Sequence, residues 1–357
     1  MQFLPSPLRR SLLLAGLSAA VPASALPPQV LRFPRDYGSH PDFRTEWWYV
    51  TGHAKSGNRE FGFQVTFFRS RVDGTQALRS GFAAKQLLFA HAAITDVQGK
   101  KLVHDQRIAR ASGNSALDQG TASETDTAIT LRDWSLKRTP QGYVADITAG
   151  EFALQLNFTE TQPVLLQGRG GLSRKGPEPE QASYYYSLPQ LTTRGSLTLR
   201  GQRFAIDGKA WLDHEWSEAL LHPRAVGWDW IGMNLFDGSA VTAFRLRDGD
   251  GNALWDGGSF RHPKAGLFIA SKGETAFQPL KTWKSPLTQA VYPIEWLVRT
   301  TSDFYTVKAV VPAQELDSRQ STGAIYWEGL SDLFDGNQRH VGRGYLEMTG
   351  YAKPLQL

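Results

Sequence analysis

The segment Ala210-Trp211-Leu212-Asp213-His214-Glu215-Trp216 is the densest group of reactive side chains in the sequence. On a β-strand, alternation puts Asp213 and Glu215 on one face and Leu212, His214 and Trp216 on the other. One face then carries two carboxylates and the other an imidazole beside indoles. If the carboxylates border an apolar space, burial raises at least one of their pKa values. A carboxylic acid held neutral near pH 7 is what protonation of an alkene or activation of water needs. On that reading Asp213, His214 and Glu215 are the candidate catalytic residues, with Asp213 or Glu215 as the acid. On the competing reading the two carboxylates bind arginines or backbone amides across a barrel mouth.

Two aromatic segments could frame a pocket. In Glu46-Trp47-Trp48-Tyr49, Glu46 and Trp48 share a face and Trp47 and Tyr49 share the other. In Gly227-Trp228-Asp229-Trp230, the two indoles share a face and Asp229 lies opposite. Together with Trp216 these supply candidate ligand-binding residues Glu46, Trp48, Trp216, Trp228, Asp229 and Trp230; the alternative for each tryptophan is ordinary core packing. Two later segments add Tyr326, Glu328 and Tyr345. Tyr326 and Glu328 alternate onto one face, as do Tyr345, Glu347 and Thr349. Acids beside tyrosines suit a polar interior, or charges pairing with Arg343 and Arg245, on strands that close a barrel. The eight histidines show no i, i+2 or i, i+4 pairing, and Asp213-His214-Glu215 alone lacks the ligand count for zinc. No metal or cofactor is expected. There is neither a Gly-x-Ser-x-Gly elbow nor a Gly-rich phosphate loop.

The elements that must position these groups read as β throughout. Phe61 to Phe68 is rich in aromatic and β-branched residues, and Thr127 to Arg132 and Phe152 to Phe158 alternate at period 2. Ser196 to Arg200, Val241 to Leu246 and Thr306 to Val311 do the same. Asp-Gly pairs at Asp73, Asp207, Asp237, Asp250 and Asp335 punctuate them. Pro312 to Ser318 could form one short turn or helix. Many short antiparallel strands with tight turns mean a sandwich or an up-and-down barrel. Gln167 to Gln181, rich in Gly and Pro, is either a domain linker or a long hairpin loop inside the first half; Tyr184 to Leu188, one more strand of that half, favours the loop. A faint repeat pairs Trp47 to Arg69 with Trp228 to Arg245, and Trp134…Tyr143 with Trp296…Tyr305, so two copies of one β-module are expected.

Composition narrows the classes. The chain has 357 residues, enough for about two domains. It contains no cysteine, which excludes a disulfide scaffold, a cysteine nucleophile and thiolate-bound zinc. A formal charge of +5 over this length is no footprint of nucleic-acid binding. Residues 1–25 read as a leader: Arg9 and Arg10, an apolar run from Ser11 to Val21, then Ala23-Ser24-Ala25 as a cleavage site. The paired arginines also fit a twin-arginine export signal. No later stretch reaches ~18 apolar residues, the length of a membrane-spanning helix. The mature chain is expected to be periplasmic or secreted, divided at 26–195 and 196–357.

Six ordered motifs resemble the AttH-like family, which is related to carotenoid 1,2-hydratase (hydroxyneurosporene synthase). They are Glu46-Trp47-Trp48-Tyr49-x-Thr51-Gly52, Ala210-Trp211-x-Asp213-His214-Glu215-Trp216, Gly227-Trp228-Asp229-Trp230, Tyr292-Pro293-x-x-Trp296, Tyr326-Trp327-Glu328-Gly329 and Gly344-Tyr345-Leu346-Glu347-x-Thr349-Gly350-Tyr351. The resemblance implies two tandem lipocalin-like antiparallel β-barrels and a small hydrophobic ligand, a lipid or isoprenoid-like molecule. It also implies an accessory role beside an ABC-type permease. The alternative it implies is a hydratase, or a hydrolase or cyclase, working without a cofactor through a carboxylic acid proton donor.

Overall fold

A computed structural model describes residues 25–114, 116–219 and 221–355, so most of the leader lies outside the described residues. The described chain is all-β, in two antiparallel sheets that follow one another in sequence. The first holds β1 (Thr45–Ser56), β2 (Arg59–Arg71), β3 (Gln86–Asp96), β4 (Lys101–Ala111), β5 (Gly120–Ala122), β6 (Ala128–Leu131), β7 (Trp134–Thr139), β8 (Gly142–Thr148), β9 (Phe152–Thr159), β10 (Leu165–Leu166), β11 (Leu172–Arg174), β12 (Ala182–Leu199) and β13 (Gln202–Ala219). The second holds β14 (Gly227–Leu235), β15 (Ala240–Arg247), β16 (Ala253–His262), β17 (Gly266–Ile269), β18 (Ala276–Lys284), β19 (Val291–Arg299), β20 (Phe304–Ala309), β21 (Glu315–Ser318), β22 (Ala324–Phe334) and β23 (His340–Met348).

The two sheets repeat one order. The first runs β4-β3-β2-β1-β13-β12-β9-β8-β7-β6-β5 and the second β17-β16-β15-β14-β23-β22-β20-β19-β18. Each starts with a meander and closes its centre by pairing its last strand with its first. In the first sheet the edge strands β4 and β5 come together, so the sheet curls into a nearly closed, lipocalin-like barrel. The central hairpin β12–β13 turns through Arg200 (φ +48°) and Gly201 (φ +81°). Two positive φ values make the kind of two-residue turn whose twist matches its flanking strands. That turn sets the register as far as Leu191 opposite Ala210, and a bulge between Leu188 and Leu191 then shifts it by one residue, which places Tyr185 opposite Glu215 and Ser187 opposite Asp213.

Three sequence expectations are corrected. The division at 195/196 falls inside β12, because β12 and β13 both belong to the first sheet; the sheets part between β13 and β14. Pro312 to Ser318 holds a strand, β21, rather than a helical turn. The repeat is real in topology, but its two Trp…Tyr anchors are one strand out of phase. Trp134…Tyr143 spans β7 and β8, whereas Trp296…Tyr305 spans β19 and β20, the counterparts of β8 and β9. Gln167 to Gln181 is an excursion within the first domain, carrying β11 against β12.

The interior of the first barrel is filled by its own side chains, among them Trp48, Trp134, Trp216, Phe61 and Phe63, all fully buried. A separate apolar cluster of Tyr49, Trp211, Trp230, Phe244, Leu330 and Tyr345 joins the two domains. Polar ties surround it. Gln190 Nε2 donates to the carbonyls of Leu235 and Ser239, Asn234 Nδ2 donates to the Ala210 carbonyl, and Arg343 pairs with Glu60 at 2.9 Å. At Gly62 the domains touch so closely that an added Cβ would lie 2.7 Å from the Tyr345 hydroxyl.

Candidate active site

Strand alternation decides which face of each central strand meets which neighbour. On β1, β13 and β12, one set (Glu46, Trp48, His214, Trp216, Tyr184, Tyr186) points into the first barrel. The opposite set (Trp47, Tyr49, Asp213, Glu215, Tyr185, Ser187) points out, toward the second domain. On β14, β23 and β22, the outward set is Trp228, Trp230, Tyr345, Glu347, Tyr326 and Glu328. The two outward faces enclose a cavity of about 310 Å³. Its walls are mostly apolar, with the rings of Trp47, Phe68, Phe89, Trp228, Trp230 and Phe244 among them. The cavity thus lies between the domains, while the first barrel's lumen is filled by its own side chains.

Five acidic residues border this cavity, Glu46, Asp213, Glu215, Glu328 and Glu347, and the last four lie on the outward faces. Of these four, Asp213 is the most heavily braced. Ser187 Oγ and Trp211 Nε1 donate to its Oδ1 at 2.5 and 2.7 Å, and the Tyr185 hydroxyl donates to its Oδ2 at 2.9 Å. Trp230 Nε1, from the other domain, donates to the Tyr185 oxygen at 3.3 Å, so the chain of bonds crosses the interface. Burial still prevails over these donors and pushes the Asp213 carboxyl up to about 7. Glu215 accepts from Ser183 Oγ at 2.5 Å and lies 3.0 Å from the ammonium of Lys175. That ammonium sits 4.3 Å from the ring centre of Phe244 and 4.7 Å from that of Tyr185.

Glu328 and Glu347 stand directly opposite each other on β22 and β23. Both oxygens of Glu328 are buried without a hydrogen-bond partner, and the nearby Tyr49 hydroxyl has none either. Burial and then the charge of Glu347 drive the Glu328 carboxyl far above the ordinary carboxylate range. Burial, tempered by the Trp228 indole and reinforced by Asp213 and Glu215, raises Glu347 to about 8. A pair this close titrates jointly, and at neutral pH it retains a proton. At another wall, His91 Nδ1 lies 2.8 Å from the Tyr326 hydroxyl. Burial lowers His91 to about 3, so its imidazole is neutral.

The remaining sequence candidates are placed elsewhere. Glu46 borders the cavity, but its carboxylate serves the barrel interior. It accepts from Ser39 Oγ, from the His40 backbone and from Arg69 Nε at 2.8 Å, and it lies 2.8 Å from His40 Nδ1 and 2.9 Å from His214 Nε2. His214 is stacked on Trp48 and bonded to the Tyr186 hydroxyl, and Trp216 is stacked on His40. His214, Trp48 and Trp216 therefore face away from the cavity. Asp229 lies inside the second domain, accepting from Arg245 Nε and the Tyr351 hydroxyl, with Arg247 at 3.2 Å. Tyr345 is packed beneath the cavity in the interdomain cluster.

His40, Glu46 and His214 bring three ligand-type atoms within 4.8 Å of one another. Their donor set fits a cation poorly. Both imidazoles already engage one Glu46 oxygen, the Arg69 guanidinium holds the other, and the Asp36 carboxylate lies 3.2 Å from His40 Nε2. Against its burial, the two carboxylates raise the His40 pKa, and with the Arg69 guanidinium they leave the site's ligand atoms already engaged.

Residues that sequence reasoning did not single out complete the cavity: Lys175, Tyr185, Tyr49, His91, Gln64, Phe244 and Glu347. Glu347 had a visible signal, its alternation with Tyr345. Lys175 comes from the loop before β12, where no periodicity marks it.

The fold and site define a two-domain lipocalin-like protein whose pocket lies between the domains rather than within a barrel. The AttH-like family model matches residues 24–351, and the chain belongs to that family. The crystal structure of a Nitrosomonas europaea protein described as an AttH is similar over 92% of this chain and 99% of its own, with 42% identity and a TM-score of 0.85. Kievitone hydratase from Nectria haematococca shares the fold at 14% identity, covering 91% of this chain and 94% of its own, with a TM-score of 0.67. No curated protein sequence matches this chain.

Proposed function

We propose that this protein draws a small, mostly apolar molecule into the interdomain cavity and, with its own carboxyl groups, adds water across a carbon–carbon double bond or, in reverse, removes water from an alcohol to form one. One observation carries the reading: Glu328, a buried carboxyl with no hydrogen-bond partner, stands in an aromatic cavity opposite braced Asp213 and Lys175-paired Glu215. An unpartnered carboxyl in such a place holds its proton and can release it to carbon. In the hydration direction Glu328 protonates the alkene, and the faces of Trp228, Trp230 and Phe244 stabilise the developing cation. Water then bonds to the cationic carbon, the one adjacent to the carbon that took the proton, and gives its proton to the ionised form of Asp213. The proton returns to Glu328 through solvent, and the cycle closes. Kievitone hydratase, by its name a hydratase, is in keeping with such chemistry on this fold. On the leader read at residues 1–25, we place the reaction outside the cytoplasm.

The test is to incubate the protein with polyenes, isoprenoid alkenes and the matching tertiary alcohols in isotope-labelled water, and to measure label in the product. Asp213→Asn and Glu328→Gln should each slow incorporation by about 10²–10⁴-fold. Ligand affinity, read from tryptophan fluorescence, should stay within about tenfold. Binding without label from any substrate would instead favour a carrier of hydrophobic ligands. Equal loss of binding and turnover would remove the acid–base role.

A further inference from the structure

We infer that the open edge of the second domain, formed by β17 and β18, docks on an anionic lipid surface. The two strands are the ends of the second sheet: β17 pairs only with β16 and β18 only with β19. Both are remote in the sheet from β14, β23 and β22, which face the cavity, so this surface is distinct from the site already described.

Every residue of β17 is exposed, and three are large and apolar: Leu267 at 43%, Phe268 at 48% and Ile269 at 37%. Alternation therefore sends apolar side chains to both faces of a strand that has no neighbour beyond its outer edge. Leu280 on β18 is 49% exposed, and Leu287 and Val291 at the β18–β19 turn are 59% and 49% exposed. Free edges of soluble sheets are ordinarily blunted by charge, not lined with apolar residues.

Charge selects the occupant. From Arg261 to Val291 the basic residues are Arg261, Lys264, Lys272, Lys281 and Lys284, and the one acid is Glu274, whose carboxylate accepts from the Ser271 amide. The four lysines are exposed and form no ion pair among the described residues. Lys264 and Lys272 bracket the apolar strand, and Lys272 lies 5.0 Å from the Trp255 ring centre. An apolar ribbon that can enter the acyl boundary, flanked by lysines at headgroup level, matches a bilayer bearing negative charge. A second copy fits worse: antiparallel pairing of β17 with itself would bring Lys264 against the partner's Lys272.

The test is hydrogen–deuterium exchange on the full chain with phosphatidylglycerol-containing vesicles and with phosphatidylcholine vesicles. Exchange over 263–272 and 278–284 should slow with the anionic vesicles and not with the neutral ones, and the effect should fade at high salt. This readout is local, so contact made by the leader does not mimic it. Lys264→Glu with Lys272→Glu, both exposed positions, should weaken vesicle binding at 263–272 by at least about tenfold. Unchanged exchange at low salt would overturn the proposal. So would equal protection by both vesicle types, or protection that appears with protein concentration in the absence of lipid, which would mark a self-association edge.

Discussion

Glu46 and Glu328 are buried to almost the same degree, at 1% and 2% exposure, and they end at opposite ends of the carboxylate range. For Glu46 burial alone would raise the pKa, but His214, His40 and Arg69 reverse it and hold the group well below its ordinary value. Glu328 has no partner within hydrogen-bond distance, so burial is opposed only weakly, by the nearby Tyr49 hydroxyl, and the neighbouring Glu347 adds to it. The two domains repeat this contrast. The inward acid faces an arginine on the adjoining strand in both, Glu46 opposite Arg69 and Asp229 opposite Arg245. The outward acid, Glu215 opposite Trp47 or Glu347 opposite Trp230, meets an indole instead. Charged partners decide the state of a buried acid: the fold supplies arginines on the inner face and, apart from Lys175, only neutral donors on the outer one. The inner acids hold structure, and the outer ones are left able to exchange protons.

The largest predicted effect strikes the satisfied side of that comparison. Arg69→Met leaves Glu46 buried beside two imidazoles without its guanidinium, and should cost about 3–5 kcal/mol in chemical denaturation. A cost near zero would mean that the inner network does not depend on its cation. Next comes Lys175→Met, which strips Glu215 of its ammonium and should lower stability by about 1–3 kcal/mol. The smallest effect belongs to the unsatisfied side. Glu328→Gln removes an acid that has no partner to lose, so at pH 7 the variant should lie within about 1 kcal/mol of wild type.

The pH dependence of stability sharpens the same contrast. A carboxyl lowered by folding, as Glu46 is, stabilises above its unfolded pKa, and that contribution is lost as pH falls through the folded value. Carboxyls raised by folding act the other way. Asp213, from 3.8 to about 7, and Glu347, from 4.5 to about 8, bind protons in the folded state that the unfolded chain has released. Their contribution is complete below about pH 4 and falls away as pH rises toward 8. The imidazoles of His53, His91 and His214, held neutral by desolvation, act the opposite way up to about pH 6.5, so the decline in wild-type stability should show between about pH 6.5 and pH 8. In Glu347→Gln the decline should be shallower, by an amount on the order of 2 kcal/mol at pH 8. A flat wild-type profile would contradict the raised values.

The sequence made the contents of each strand face legible but not the direction of the faces. Alternation separates Asp213 and Glu215 from His214 and Trp216, and Trp228 and Trp230 from Asp229, as the structure does. It cannot say which face turns into the barrel, because both carry bulky aromatics: Trp47 and Tyr49 on one side of β1, Trp48 on the other. Lys175, Tyr185 and His91 meet at the cavity only because β1 pairs with the distant β13 and the second domain packs against that face, neither of which local alternation reveals. The domain division was misread for a related reason. The 18-residue strands β12 and β13 exceed ordinary strand length, so Ser196 to Arg200 reads as a fresh start.

The central claim is that the interdomain cavity holds un-ionised carboxylic acids at neutral pH. Infrared difference spectroscopy across a pH titration reads this directly, through the carbonyl stretch of protonated carboxyl groups. Wild type should keep that band at pH 7 and lose part of it near pH 8, while Glu328→Gln and Glu347→Gln each diminish it and Glu46→Gln leaves it unchanged. A wild-type protein with every carboxyl ionised at pH 7, or a band removed by Glu46→Gln alone, would contradict the account.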